Sequence, residues 1–426
     1  MRNIAAIILF IYISLMLVGM KPLGGLETGF DDGGSGFAAF WQAAVGFSLL
    51  IAFAFCLLRS RIPFWRQIPL IWWLFLALAI MSIAWSASPV IGAKRVMLLV
   101  ATILVPLSLG NQLPRRAPLI ILAVSVGIVL VVDIAAIPFF PNATHRLGEA
   151  DEALVGLWKG LHVHKNVAAS VAIIGILLGI SHLSRNARPR YLVLILLGAV
   201  MLNGTESKTS ALLLPISLMV MTAAAIGQRY GEIRFTLRLT SQALLLAAIA
   251  CLIIFWPDIK AVITQKDFAT GRGTMWAFML SYSGSHPLGA GFGSFWAAGP
   301  EGPTMNVPDA PWASFVHGHN GYLDTLVTTG WLGLFLSVIA AVIVPLRLAL
   351  RRLTVHEPEQ HFSLGFIFYF IFHNLSESSV FSGTRIEWLT LSMCVIYMMR
   401  SQLETKLAAK EEIELARITQ SKSSVA

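Results

Sequence analysis

Apolar runs of close to twenty residues alternate along this chain with short polar connections. A run of that length lets an α-helix cross the ~30 Å hydrocarbon core of a bilayer. A hydropathy window of about 19 residues predicts spans at 4–20, 37–58, 68–85, 96–112, 118–140, 165–183, 191–203, 209–227, 239–256, 321–346, 362–376 and 387–400. The first run, Ile4 to Met20, has no small-residue cleavage signal near its end and reads as a retained helix. The predicted fold is an all-α polytopic integral membrane protein of about 12 transmembrane helices with a large extracytoplasmic loop between helices 9 and 10. Its expected segments are 1–256 (helices 1–9), 257–320 (the large loop), 321–400 (helices 10–12) and 401–426, a tail read as a separate charged helix that frays into Ser-rich disorder and serves as a topological anchor.

Composition closes off the soluble alternatives. The 426 residues are 56% hydrophobic and 12% charged, where a soluble domain carries about 25% charged residues. The net charge of +9 concerns topology rather than nucleic acid, and the lipid bilayer is the expected partner. Of the 31 basic residues, 20 fall in every second connection, among them Arg115, Arg116, Arg188, Arg190, Arg347 and Arg351, or at the chain ends. The positive-inside rule makes that side cytoplasmic, with both termini there. Cys56, Cys251 and Cys394 all lie in apolar runs and give no disulfide framework or zinc motif.

The opposite connections hold most of the acids and nearly all residues able to do chemistry. The 257–320 loop is rich in Gly, Pro and Trp and too long for a mere connector. Its glycine string, Gly289 to Ser294, follows no predicted strand, so it reads as a tight turn or a close approach to a ligand rather than a nucleotide loop. No Walker A, D-x-D or H-E-x-x-H string occurs. Arg95, Arg146, Lys159, Lys165, Lys208, Arg272 and Arg385 break the basic bias on this face; as a group they call for an anionic partner such as phosphate. Asp133, near the outer end of its span, is expected to pair with Arg146. Asn320 stands where an N-cap would begin span ten. The histidine pairs His162/His164 and His317/His319 are expected to hold no metal, the alternative being a site completed by Glu149, Asp151 or Glu152.

In order, the outer strings are Trp85-Ser86 with Arg95; Gly156 with His164-Lys165-Asn166; Ser207-Lys208-Thr209; Thr270-Gly271-Arg272 with Trp276; His286-Pro287-Leu288-Gly289 through Phe292 to Trp296; His317-Gly318-His319-Asn320 with Tyr322; and Asn374 with Glu377-Ser378. This series resembles the O-antigen ligase and polysaccharide polymerase superfamily of the bacterial envelope over nearly the whole chain, most of all its succinoglycan-type exopolysaccharide polymerases. Gly156 stands eight residues before His164 rather than four, the one departure in spacing.

The resemblance implies a GT-C-like, metal-independent glycosyltransferase without a cofactor, in the bacterial inner membrane. It would join saccharides carried on undecaprenyl diphosphate to an acceptor hydroxyl, with a chain-length regulator of the export system as a further expected partner. Such inverting transfer needs a base for the acceptor proton and cations for the departing diphosphate. The motif match assigns His319 as base with His317 second, and Arg272 to the diphosphate with Arg95, Lys165 and Lys208 as further contacts. Asn320, Tyr322, Trp276 and Glu377 are expected on the substrate, with Trp276, Trp296 and Tyr322 either stacking on sugars or anchoring at the interface. The expected function is polymerisation of lipid-linked repeats at the outer face; the alternatives are ligation of finished polymer to lipid A core, and a lipid-linked oligosaccharide transporter.

Overall fold

In hydrocarbon every backbone N–H and C=O must find its partner within its own segment, so apolar spans become helices. The computed structural model of the chain follows that rule, with no strand among the described residues and an isolated bridge between Thr144 and Trp158. It describes residues 2–23, 36–56, 63–147, 152–184, 188–229, 260–261, 272–296, 302–307, 310, 312, 315–351 and 357–423. Expected span 239–256 with Cys251, and Glu149, Asp151, Thr270 and Gly271, lie outside the described residues.

The helices are α1 (Arg2–Val18), α2 (Gly36–Cys56), α3 (Leu70–Met81), α4 (Pro89–Asn111), α5 (Ala117–Phe139), α6 (Lys165–Leu183), α7 (Pro189–Thr205), α8 (Lys208–Arg229), α9 (Gly273–Ser285), α10 (Gly321–Arg351), α11 (Pro358–His373) and α12 (Ile386–Ser423). Among the described residues, five helices are long and apolar enough to cross a membrane: α4, α5, α6, α8 and α10. Shorter apolar helices stand at four further expected spans: α1, α2, α3 and α7. The molecule is an α-helical membrane protein.

Two elements differ from the sequence reading. Helix α9 lies inside the large loop, where its glycines and serines (GTMWAFMLSYSGS) hide the helical period. Helix α12 runs through Arg400 without a break, so the last span and the charged tail are one helix to Ser423.

Small residues set the closest packing, as membrane helices lacking a strong hydrophobic drive require. A methyl at Gly179 of α6 would stand 2.6 Å from Ile195 Cγ1, and one at Gly198 of α7 would stand 2.8 Å from Ala172 O. Helix α12 is locked in by aromatics, with Phe75 and Phe381 stacked at 3.6 Å between ring centroids and Trp388 beside them. A π turn at Ile339–Ile343 within α10 leaves the Ala340 carbonyl to accept from the Trp72 indole at 3.0 Å.

At the end expected to face the cytoplasm, Glu357 accepts from Arg115 at 2.5 Å and pairs with Arg116 at 2.7 Å. Arg400 of α12 donates there to the Gly110 and Leu113 carbonyls. This clamp fixes one end of the helices and leaves the other end for the site.

Candidate active site

The loop carrying the two histidines is built by pinning the glycine between them. The Gly318 N–H donates to both oxygens of Asp324, at 2.9 and 3.1 Å, and its carbonyl accepts from the Trp276 indole at 2.8 Å. Trp296 donates to the same Asp324 at 2.6 Å. Trp276 and Trp296, 5% and 3% exposed, are buried in a second apolar core with Met275, Met279 and Phe295. Both tryptophans therefore hold the histidine loop to the first turn of α10. Sequence reading missed Asp324; the available signal was an acid four residues after the Asn320 cap in an otherwise apolar span.

Asn320 caps α10 as expected, its Oδ1 accepting from the Tyr322 and Leu323 amides at 3.1 Å each. The Gly321 amide donates to the Asn374 and Glu377 carbonyls at 2.9 Å, and the Asn320 amide donates to Ser378 Oγ at 3.1 Å. Tyr322 donates its hydroxyl to the Ile371 carbonyl at 3.0 Å. These bonds stitch the start of α10 to the α11–α12 connection and hold His319 at φ 49°, a left-handed conformation costly for a residue with a Cβ.

His319 Nδ1 then faces Glu377 Oε2 at 3.6 Å, an ion-pair distance rather than a hydrogen bond. Burial alone would raise the Glu377 carboxyl, but His319, His317 and His373 together carry it well below the ordinary carboxylate value. It is therefore ionised at neutral pH. Burial pushes His317 well below the ordinary imidazole value, with His319 and Arg385 acting the same way, so His317 is neutral and its Nδ1 accepts the His319 amide at 3.3 Å. Arg272, N-cap of α9, donates to the Ser376 carbonyl at 2.9 Å, beside Glu377. Burial lowers its pKa and Glu377 raises it, and the guanidinium keeps its charge.

The sequence model of the family described as O-antigen ligase matches residues 191–338. That stretch takes in Lys208, Arg272, Trp276, His317, His319, Asn320 and Tyr322 and stops short of Glu377. It supports the O-antigen ligase and polymerase superfamily, and a ligase- or polymerase-type glycosyltransferase activity. No curated protein matches the chain.

Other expected residues are placed around this centre. His164 caps α6, its Nδ1 accepting the Asn166 amide at 3.1 Å, and burial pushes its pKa down to about 3, with His145 and His319 adding to the shift against Glu377. Lys165 donates to the Glu206 carbonyl at 3.3 Å. Lys208, exposed at the start of α8, stands on the rim of an open apolar groove of about 490 Å³ with Asn203, Leu202 and Leu214.

Arg95 is engaged elsewhere. Its guanidinium donates to the carbonyls of Gly293 and, at 3.1 Å, Trp296. The glycine string approaches the protein's own backbone there: Phe292 N donates to Ser82 Oγ at 2.9 Å and Ser86 meets Ser294 at 2.5 Å. On its other side the string wedges into α10. Gly330 breaks that helix at φ 70°, so that the Pro287 carbonyl accepts from the Trp331 amide at 3.2 Å, and a methyl at Gly289 would stand 2.6 Å from the Thr328 carbonyl carbon.

Asp133 pairs with His162 at 3.0 Å and accepts the Leu161 amide at 2.9 Å, in place of the expected Arg146. The physical reason is Gly160, whose missing Cβ lets the 159–162 backbone descend onto the carboxylate. His162 is thereby removed from any pairing with His164. Among the described residues, His317, His319 and Glu377 place ligating atoms within 4.8 Å of one another. A divalent cation tolerates that spacing, with at most three donors against the four of a closed tetrahedral zinc site.

Proposed function

We propose that the protein transfers saccharide from undecaprenyl diphosphate to an acceptor hydroxyl and so polymerises oligosaccharide repeats into exopolysaccharide at the outer face of the bacterial inner membrane. The observation that carries this reading is the His319–Glu377 pair with Arg272 beside it. With Nδ1–H directed at an ionised Glu377, His319 presents a basic Nε2 to the acceptor. Its removal of the hydroxyl proton accompanies formation of the new bond to C1, while the bond from C1 to the diphosphate oxygen breaks. The electron pair leaves on the diphosphate, where Arg272 offers a bidentate grip, and Glu377 stabilises the imidazolium. His317, neutral, keeps the His319 amide in place. Polymerisation over ligation rests on the motif series. Reconstituted protein given lipid-linked repeats alone should lengthen them; no elongation, with transfer of saccharide to lipid A core once that acceptor is added, would establish the ligase instead.

A further inference from the structure

A chain of side-chain bonds runs from the start of α8 into this centre. Ser207, buried directly before Lys208, donates from Oγ to Asn166 Oδ1 at 3.2 Å. Asn166 donates from Nδ2 to Glu377 Oε1 at 2.6 Å, and the other carboxylate oxygen is the one facing His319. Direction follows from chemistry: a carboxylate only accepts, so the Asn166 amide must turn its nitrogen to Glu377 and its oxygen to Ser207. We propose that Ser207 and Asn166 are positioning residues, a relay that aims the Glu377 carboxylate at His319 Nδ1 and links the base to the Lys208 loop. The proposal rests on the transfer reading above.

Three features support the relay. Asn166 sits in the first turn of α6, whose cap is His164, so its side chain is carried by a rigid, buried helix rather than by a loop. Asn166 and Glu377 line a cavity of about 10 Å³ with His373, Arg385 and Glu387, room for no more than a single water between them. Glu377 has few other means of orientation: its 3.6 Å contact to His319 is too long to fix a carboxylate plane, and the 2.6 Å bond from Asn166 is the short one. Loss of the amide would let the carboxylate rotate away and expose Nδ1. The titratable groups coupled to His319 are His317 on its own loop, Asp324 of α10, His164 at the cap of α6, and Glu377 from the α11–α12 connection, where Arg385 acts on His317 and His164.

The test uses full-length protein in proteoliposomes with two readouts: transfer kinetics with lipid-linked repeats, and carbethoxylation of His319 by diethylpyrocarbonate at fixed pH, followed by peptide mass spectrometry. Asn166→Ala should lower kcat on the order of 10- to 100-fold, as misplacement of a catalytic group does, with KM little changed. His319 should label faster and take a second adduct at the freed Nδ1. Ser207→Ala should do the same more weakly, and Ser207→Thr, which keeps the hydroxyl, should restore both readouts. Parent-like kcat and labelling in Asn166→Ala would overturn the relay. So would a loss that tracks only a lowered melting temperature and that Ser207→Thr fails to rescue. If the parent protein shows no transfer at all, the functional reading fails while the labelling arm still decides the relay.

Discussion

Glu377 Oε2 lies 3.6 Å from His319 Nδ1, across the junction between the α11–α12 connection and the start of α10. Burial alone would raise this carboxyl, but His319, His317 and His373 hold it well below its ordinary value, so it faces the imidazole as an anion. The rest of the site serves this pair, through the pinned Gly318, the Asn320 cap and the nearby Arg272.

Arg272 gives the first prediction. Arg272→Ala should abolish polymer with protein level and membrane insertion unchanged, and Arg272→Lys should recover little, because a lysine keeps the charge but loses the planar fork. Polymer output and immunoblots of membranes read this directly; strong rescue by Lys would reduce Arg272 to a steering charge.

Arg95 should behave differently, since its guanidinium holds the Gly293 and Trp296 carbonyls. Arg95→Ala should lower the melting temperature in detergent by several degrees, at a cost of about 1–3 kcal/mol for carbonyls left unpaired. Chymotrypsin should also cut the glycine loop sooner, at Phe292 or Trp296. A rise in KM for the lipid donor with unchanged melting would instead place Arg95 on substrate.

Acid stability follows from the buried histidines. His164 titrates near 3 when folded, against an ordinary value of about 6.5 in the unfolded chain. Between those values the unfolded state binds more protons, so stability rises with pH through that window and falls on acidification from 7 to 5. His164→Asn keeps a good N-cap for α6 and removes the titration, so its melting temperature should fall less over the same range. An equal fall in both proteins would contradict the burial of a neutral His164.

Orientation is open to chemical labelling. Single cysteines at Leu147 and Leu288, both exposed on the face carrying the site, should react with an impermeant thiol reagent in intact cells, and one at Ser184 should be protected. Labelling of Ser184 in sealed cells would invert the topology.

Much of this molecule is legible in its sequence, for reasons that differ by element. The run 165–183 is α6 to the residue, because hydrocarbon thickness dictates apolar length and the polar His164-Lys165-Asn166 string marks its start. The outer motifs were readable as strings, but their division of labour was not. Arg95 and Arg272 look alike in sequence, and only the fold sends one to the glycine loop and the other to Ser376 beside Glu377. Trp276 and Trp296 look like sugar platforms until Gly318 and Asp324 are seen beneath them. Helix α9 was hidden by its own glycines and serines. Asn166 was visible as a letter of a motif, but its bond to Glu377 joins segments far apart in the chain, and no periodicity reports that.

The central claim, that His319 backed by Glu377 removes the acceptor proton, is tested most directly by the turnover of His319→Ala in proteoliposomes with lipid-linked repeats, with and without EDTA. Loss of the base should lower the rate on the order of 10² to 10⁴, and EDTA should leave the parent enzyme unaffected. Near-normal turnover of His319→Ala, or a parent activity removed by chelator and restored by zinc or manganese, would contradict it.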